Sequence, residues 1–311
     1  MAVGVQSFAA GGGFCLFCGG GCLGGLDRGC FGGRVGCYLF LVVALVVVSS
    51  AAVLAKLANV PGPVAAWWRL GVGSLALSII RPSLPTYNIY CLVAGAGLAA
   101  HFCLWFESLR YTSVAVSTMI VTTYPLWLGL VDLVARSIGW IEVAGLAIGL
   151  IGLTLFFYPI PASNLHGLLL SLGGSLAITV YFYTGRLARL QGQPAIDYSR
   201  ATYLTAFLLV SAYLALTKTN PFEVKPSSIP PLILLGLGPM AIGHTLINYV
   251  LKHMPASKAT SIILLEPYIA AILAALVLGE TPKPTILPAL TITGLGTITV
   301  SLAHRKQHNN S

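Results

Sequence analysis

From residue 36 onward, apolar stretches of about 20 residues alternate with short punctuation of Pro, Gly, Asn or charge. A helix needs about 20 apolar residues to cross the hydrocarbon of a bilayer, whereas a spanning β-strand shows about 10 residues of dyad alternation. The runs therefore predict helices over 36–57, 62–80, 88–109, 112–134, 139–158, 165–185, 197–217, 230–251, 257–278 and 284–303. Strong stops stand at Arg81-Pro82, at Pro159 to Asn164, at Lys218-Thr219-Asn220-Pro221 and at Gly279-Glu280-Thr281-Pro282. Very short turns join the third run to the fourth and the eighth to the ninth, so each pair forms an antiparallel hairpin. The expected fold class is an all-α integral membrane protein with ten transmembrane helices.

Composition agrees with this pattern. Of 311 residues, 57% are hydrophobic and only 8% charged, and the mean hydropathy is +0.88. A soluble domain carries about 25% charged residues, so burial in a lipid bilayer is the physical solution. A net charge of +9 invites a nucleic-acid partner, but the basic residues do not cluster into a face, and none is expected. They sit at the ends of the runs. An even number of spans puts both termini on one side. If that side is the cytoplasm, it carries Arg28, Arg34, Arg81, Arg136, Arg186, Arg189, Arg200, Lys252, Lys258, Arg305 and Lys306, against Lys56, Arg110, Lys218, Lys225 and Lys283 outside. That excess predicts a multi-pass protein of the plasma membrane with cytoplasmic termini.

Cysteines crowd the first residues, at Cys15, Cys18, Cys22, Cys30 and Cys37. Cys15 and Cys18 form a single CxxC with no matched second pair and no nearby His, so neither a metal nor a cofactor is expected. Residues 1–35 read as a Gly- and Cys-rich disordered leader, or as coding sequence upstream of the true start, and 304–311 as a polar tail.

A shift of 142 residues superposes the third to fifth runs on the eighth to tenth without gaps. Arg110 meets Lys252, Thr118 meets Thr260, Pro125 meets Pro267 and Gly152 meets Gly294. At a shift of about 130, Lys56-Leu57-Ala58 meets Arg186-Leu187-Ala188, and one residue further Arg69 meets Arg200. The repeat unit is thus five spans, 36–158 and 165–303. Because five is odd, the second copy enters the membrane from the opposite side. Two inverted five-helix repeats are a recurring design of secondary transporters, in which the halves open alternately to either side.

The chain resembles the drug/metabolite transporter superfamily, in particular its EamA-type ten-helix members. The resemblance rests on Lys56, on Pro61 and Pro63 followed by Arg69, on the hairpin Ser108 to Ser113 leading to Pro125, and on Leu265-Glu266-Pro267 followed by Leu278-Gly279-Glu280. It covers about residues 38–303. The second half matches best, since Tyr124 stands in the place of Glu266 and Ser137-Ile138 in that of Gly279-Glu280. It implies a transporter of metabolites, often exporting amino acids or similar solutes.

Polar groups inside the spans carry the candidate chemistry, since an ionisable side chain at mid-bilayer faces a bundle interior or a cavity. Glu266 precedes Pro267, which removes a backbone donor and loosens the helix there. It is the leading solute-binding and proton-coupling candidate, the alternative being a carboxylate paired with a neighbouring helix. His101, Trp105 and Ser108 share one helical face, as do His244 and Asn248. Each set can line a central cavity or hydrogen-bond between helices. Arg69, beside Trp67 and Trp68, lies deep enough to need a partner. Glu107 or Asp132 is the expected one, with a carboxylate or phosphate of the solute as the other candidate. Lys56 snorkels to the interface, and Glu280 caps a span end. Tyr124, Tyr181 and Tyr183 pack or line the cavity, and Pro125 and Pro267 are kink points. No HExxH, P-loop or GxSxG appears, so no catalytic set is expected. The function expected is secondary transport of a small polar solute such as an amino acid, as exporter or exchanger, with room for a homodimer. The rivals are an intramembrane enzyme and a non-transporting scaffold or receptor.

Overall fold

The computed structural model describes residues 34–157, 164–279 and 286–303. The early cysteines up to Cys30, Glu280 and the polar tail lie outside the described residues, as do the roles expected of them. Among the described residues the chain is helical, without strands. We number the helices α1 (Arg34–Val48, continuing as Ala51–Ala58), α2 (Gly62–Ile80), α3 (Ile89–Ser108), α4 (Val114–Val121, continuing as Tyr124–Val134) and α5 (Trp140–Phe157). The second half holds α6 (Leu165–Leu190), α7 (Ala195–Leu216), α8 (Pro226–Val250), α9 (Ala256–Leu278) and α10 (Ile286–Leu302). Eight of these are long and apolar enough to cross a membrane, and α5 and α10 are shorter apolar helices over Trp140–Leu155 and Leu287–Leu302. Both shorter ones border segments outside the described residues.

Three pairs of helices that correspond under the sequence repeat pack antiparallel to each other. In the α2–α7 pair, the Trp67 indole donates to Ser211 Oγ at 2.9 Å while Gly71 abuts Phe207, so one numbering rises as the other falls. In α5–α10, Gly145 abuts Val300 and Gly152 abuts Ala289. The first piece of α4 packs on the last piece of α9, and the last piece of α4 on the first of α9. Contacts between the halves come in matching sets: α3 lies against α6 and α7, and its counterpart α8 lies against α1 and α2. Corresponding helices running in opposite directions are the geometry of an inverted repeat.

The α5–α10 seam is backbone against backbone. A Cβ on Gly296 would stand 2.4 Å from Gly149 N and 2.5 Å from Gly145 O, whereas one on Gly294 meets nothing. Neither neighbour is a side chain that can turn away. Gly296→Ala is expected to lower stability by about 1–3 kcal/mol, the usual cost of overpacking, and Gly294→Ala to leave it unchanged. Thermal unfolding of the detergent-purified proteins checks this, and equal midpoints for the two variants would contradict the seam.

Four helices are irregular near mid-span. In α1, Ser49 Oγ donates to Leu45 O at 2.6 Å and Ser50 Oγ to Val47 O at 2.8 Å, sharing those carbonyls with the backbone N–H groups where the helix breaks. In α4, Thr122 and Thr123 do the same to Thr118 O and Ile120 O, and Pro125 follows with no N–H to give. In α9, residues Ile262–Leu265 tighten to a 3-10 turn ahead of Glu266-Pro267. In α8, Gly236–His244 widens to a π-helix around Pro239. Such π stretches recur at functional sites.

Candidate functional site

The irregular points of α1, α4, α8 and α9 meet around one buried cavity. Its walls include Val48 and Ala51 from α1, Val121 and Tyr124 from α4, His244 and Ile247 from α8, and Ile263 and Glu266 from α9. Arg69 of α2, His101 and Trp105 of α3, and Ile178 and Phe182 of α6 complete it. Six residues singled out in the sequence therefore come together here: Arg69, His101, Trp105, Tyr124, His244 and Glu266.

Arg69 is fully buried, and its Nε, Nη1 and Nη2 have no hydrogen-bond partner among the described residues. Its guanidinium lies 4.1 Å above the centre of the Phe102 ring and 5.6 Å from that of Phe106. A desolvated cation–π contact contributes about 2 kcal/mol. The effective penalty for taking an ion out of water is several kcal/mol. The aromatic platform therefore does not offset the burial, and the N–H edge of Arg69 still needs acceptors. The expected neutralising carboxylates are elsewhere. Glu107, in the last turn of α3, pairs with Arg110 at 2.8 Å and accepts from Gly62 N–H. Asp132 accepts from Ser257 N–H and Oγ–H. Glu266 is the carboxylate that lines the same cavity as Arg69.

The imidazoles are held differently. His101 Nδ1 lies 2.8 Å from the Gly174 carbonyl, an acceptor only, so that nitrogen carries the proton and Nε2 is left as an acceptor. His244 Nδ1 has no partner, and neither has the Trp105 indole N–H. The His244 ring stacks on Phe182 at 5.8 Å and meets Phe102 edge-on at 5.5 Å, and Phe182 stacks in turn on Tyr124. Aromatic faces thus wall the cavity, and unpartnered nitrogens point its chemistry.

Ser108 and Asn248 stand apart from it. The Ser108 hydroxyl bonds with Ser117 Oγ and the Trp105 carbonyl. Asn248 is held by the hydroxyls of Tyr181 and Ser199. Both tie helices together, the second of the readings the sequence left open. Phe102 and Phe182 were not anticipated, since nothing in an apolar run distinguishes a platform for a cation from core packing. The break at Ser49-Ser50 was legible as a serine pair inside an apolar helix.

A larger recess of about 630 Å³ lies between α2, α3, α6 and α7, with Pro61, Cys103, Glu107, Arg110 and Tyr213 on its walls. Its walls are mainly apolar and its two charged groups already pair with each other. The central cavity leaves only about 20 Å³ for the centre of a water molecule, yet it holds the unpartnered polar atoms. The convergent polar groups without partners belong to the central cavity, which makes it the candidate.

Below the cavity, toward the end where α1 begins, the halves are latched. Asp132 at the end of α4 accepts from Ser257 N at 2.9 Å and Ser257 Oγ at 2.7 Å at the start of α9. Lys258 lies 3.2 Å from Glu142 of α5, and within the second half Arg186 donates to the carbonyls of Leu251 and Met254 at the same end.

Residues 165–302 match the model of the EamA-like transporter family. The chain is 24% identical over 225 residues to the uncharacterized transporter YwfM of Bacillus subtilis (strain 168), a match that spans 69% of this chain and 74% of that one. A crystal structure aligns with a TM-score of 0.73 and 18% identity, covering 88% of this chain and 100% of the other, which is a likeness of fold. These matches support membership of the chain in the drug/metabolite transporter superfamily and the role of a membrane transporter.

Proposed function

We propose that the chain is a secondary transporter that carries a small polar solute of amino-acid size by alternating access, as exporter or exchanger, with proton coupling through Glu266. One observation carries this reading. Six polar side chains from α2, α3, α4, α8 and α9, drawn from both halves, converge on one cavity where the irregular stretches of α1, α4, α8 and α9 meet. Discontinuous helices at the interface of inverted repeats are where such transporters bind their solutes. Solute sites span several hundred Å³, against the small space here, so the described conformation is occluded and the halves must part to load it. The interrupted ladders of α1, α4 and α9 supply the places to bend. The excess of Lys and Arg on one side supports cytoplasmic termini in a plasma membrane.

The test is flux into proteoliposomes of a panel of amino acids, organic acids, sugars and amines, with and without a pH gradient. Saturable uptake of at least one class, raised several-fold by the gradient, is the expected result. Uptake indifferent to the gradient would end the coupling, and no uptake of any class would end the transport reading. An enzyme would instead form product in detergent, without two compartments.

A further inference from the structure

Five nitrogens of three residues on the cavity wall have no hydrogen-bond partner among the described residues. They are the guanidinium of Arg69 on α2, the indole N–H of Trp105 on α3 and Nδ1 of His244 on α8. The first two donate and never accept. Whatever completes them must therefore bring acceptor oxygens. The stacking geometry decides how many. Phe102 covers one face of the guanidinium, which leaves the in-plane N–H fork as the bonding edge. A planar pair of oxygens matches that fork in a bidentate way, and a single hydroxyl or amide oxygen does not.

The charges around the cavity narrow the choice further. Arg69 is its one guanidinium or ammonium, and Glu266 its one carboxylate. The other titratable groups on the walls are His101, Tyr124 and His244. Glu266 makes no ion pair within 4 Å and no hydrogen bond among the described residues, so it does not occupy the Arg69 fork in this conformation. A phosphate monoester brings close to two negative charges against one cation, with Glu266 in the same space. A carboxylate brings one. By contrast Arg200, the match of Arg69 in the sequence repeat, has Asp197 at 3.7 Å and the Ser83 carbonyl. Arg200 keeps Nε and Nη1 without a hydrogen bond, but only Arg69, among the buried arginines described, lacks a partner at all three guanidinium nitrogens.

We propose that the transported solute carries a carboxylate, and that Arg69 together with the Trp105 N–H selects it. The proposal rests on the transport reading and names the class of solute. Glu266 is then free to take the second polar group of the solute, or a proton.

The experiment is counterflow uptake into proteoliposomes of L-leucine, L-serine, L-glutamate, lactate and succinate. Their methyl esters, glycerol phosphate and putrescine serve as contrasts. At least one free carboxylate is expected to be taken up and its ester not. Arg69→Gln is expected to cut that uptake at least tenfold, and Arg69→Lys to fall between, since an ammonium keeps the charge but loses the fork. If Arg69→Gln is not monodisperse on size exclusion, Trp105→Phe decides, with a several-fold rise in KM expected from the lost N–H. Equal uptake of acid and ester, full uptake by a folded Arg69→Gln, or an unchanged KM in Trp105→Phe overturns the proposal. Uptake of glycerol phosphate or putrescine without any carboxylate overturns it while leaving transport standing. Uptake of nothing removes both.

Discussion

Replacing Glu266 by Gln is expected to slow solute flux by about one to two orders of magnitude and to erase its response to a pH gradient. The side chain is buried on the cavity wall, with no hydrogen bond or ion pair among the described residues. A hydrogen bond to a charged group contributes about 1.5–3 kcal/mol, which is roughly 10- to 100-fold in an equilibrium constant. Gln has nearly the same shape and keeps the helix start at Pro267, so thermal stability should hold. That separates the two readings of this residue. If Glu266 were only a structural carboxylate, the substitution would shift the unfolding midpoint and leave the gradient response intact. Flux measured side by side in proteoliposomes, with the melting curve of the same preparation, distinguishes these outcomes.

The sequence carried the fold further than the site. Apolar run length placed the helices because the bilayer imposes a length on every span, and the odd repeat unit predicted that corresponding helices run in opposite directions. Helical spacing was less reliable for the cavity, and depth is the reason. Ser108 lies seven residues beyond His101, about 10 Å along the axis at 1.5 Å per residue, so it shares the face of His101 but not its layer. Asn248 misses in the same way, one turn beyond His244. Depth also explains the wrong partners for Arg69. Glu107 ends α3, whereas Arg69 is two turns inside α2. The π stretch around Pro239 was read as ordinary helix because its hydropathy is that of its neighbours. Contacts between the halves, such as Asp132 with Ser257, join residues 125 apart and leave no local mark.

That contact carries the second large effect. The helix α9 starts after Pro255, which has no side chain able to cap it, and no capping bond is made from that position. Asp132 of the other half takes the role, accepting from both the N–H and the hydroxyl of Ser257. A carboxylate at a helix N-terminus is favoured by the unpaired N–H groups and the helix dipole. At the corresponding start of α4 the cap is local instead, Ser113 Oγ accepting from Val116 N–H. The cap of α9 therefore exists only while the halves are closed at the end where α1 begins. Asp132→Ala removes both bonds. Taking about 3 kcal/mol for them, the balance moves on the order of a hundredfold toward a form open at that end. Val121 lines the cavity and is buried. In a background without native cysteines, Val121→Cys is expected to react with a membrane-impermeant maleimide from that side only once Asp132→Ala is added. Ser257→Ala keeps the bond to the backbone N–H and should open the path less. Labelling that stays at the parent level in Asp132→Ala would mean that the latch lies elsewhere, with the Lys258–Glu142 ion pair the next tie to test among the described residues at that end.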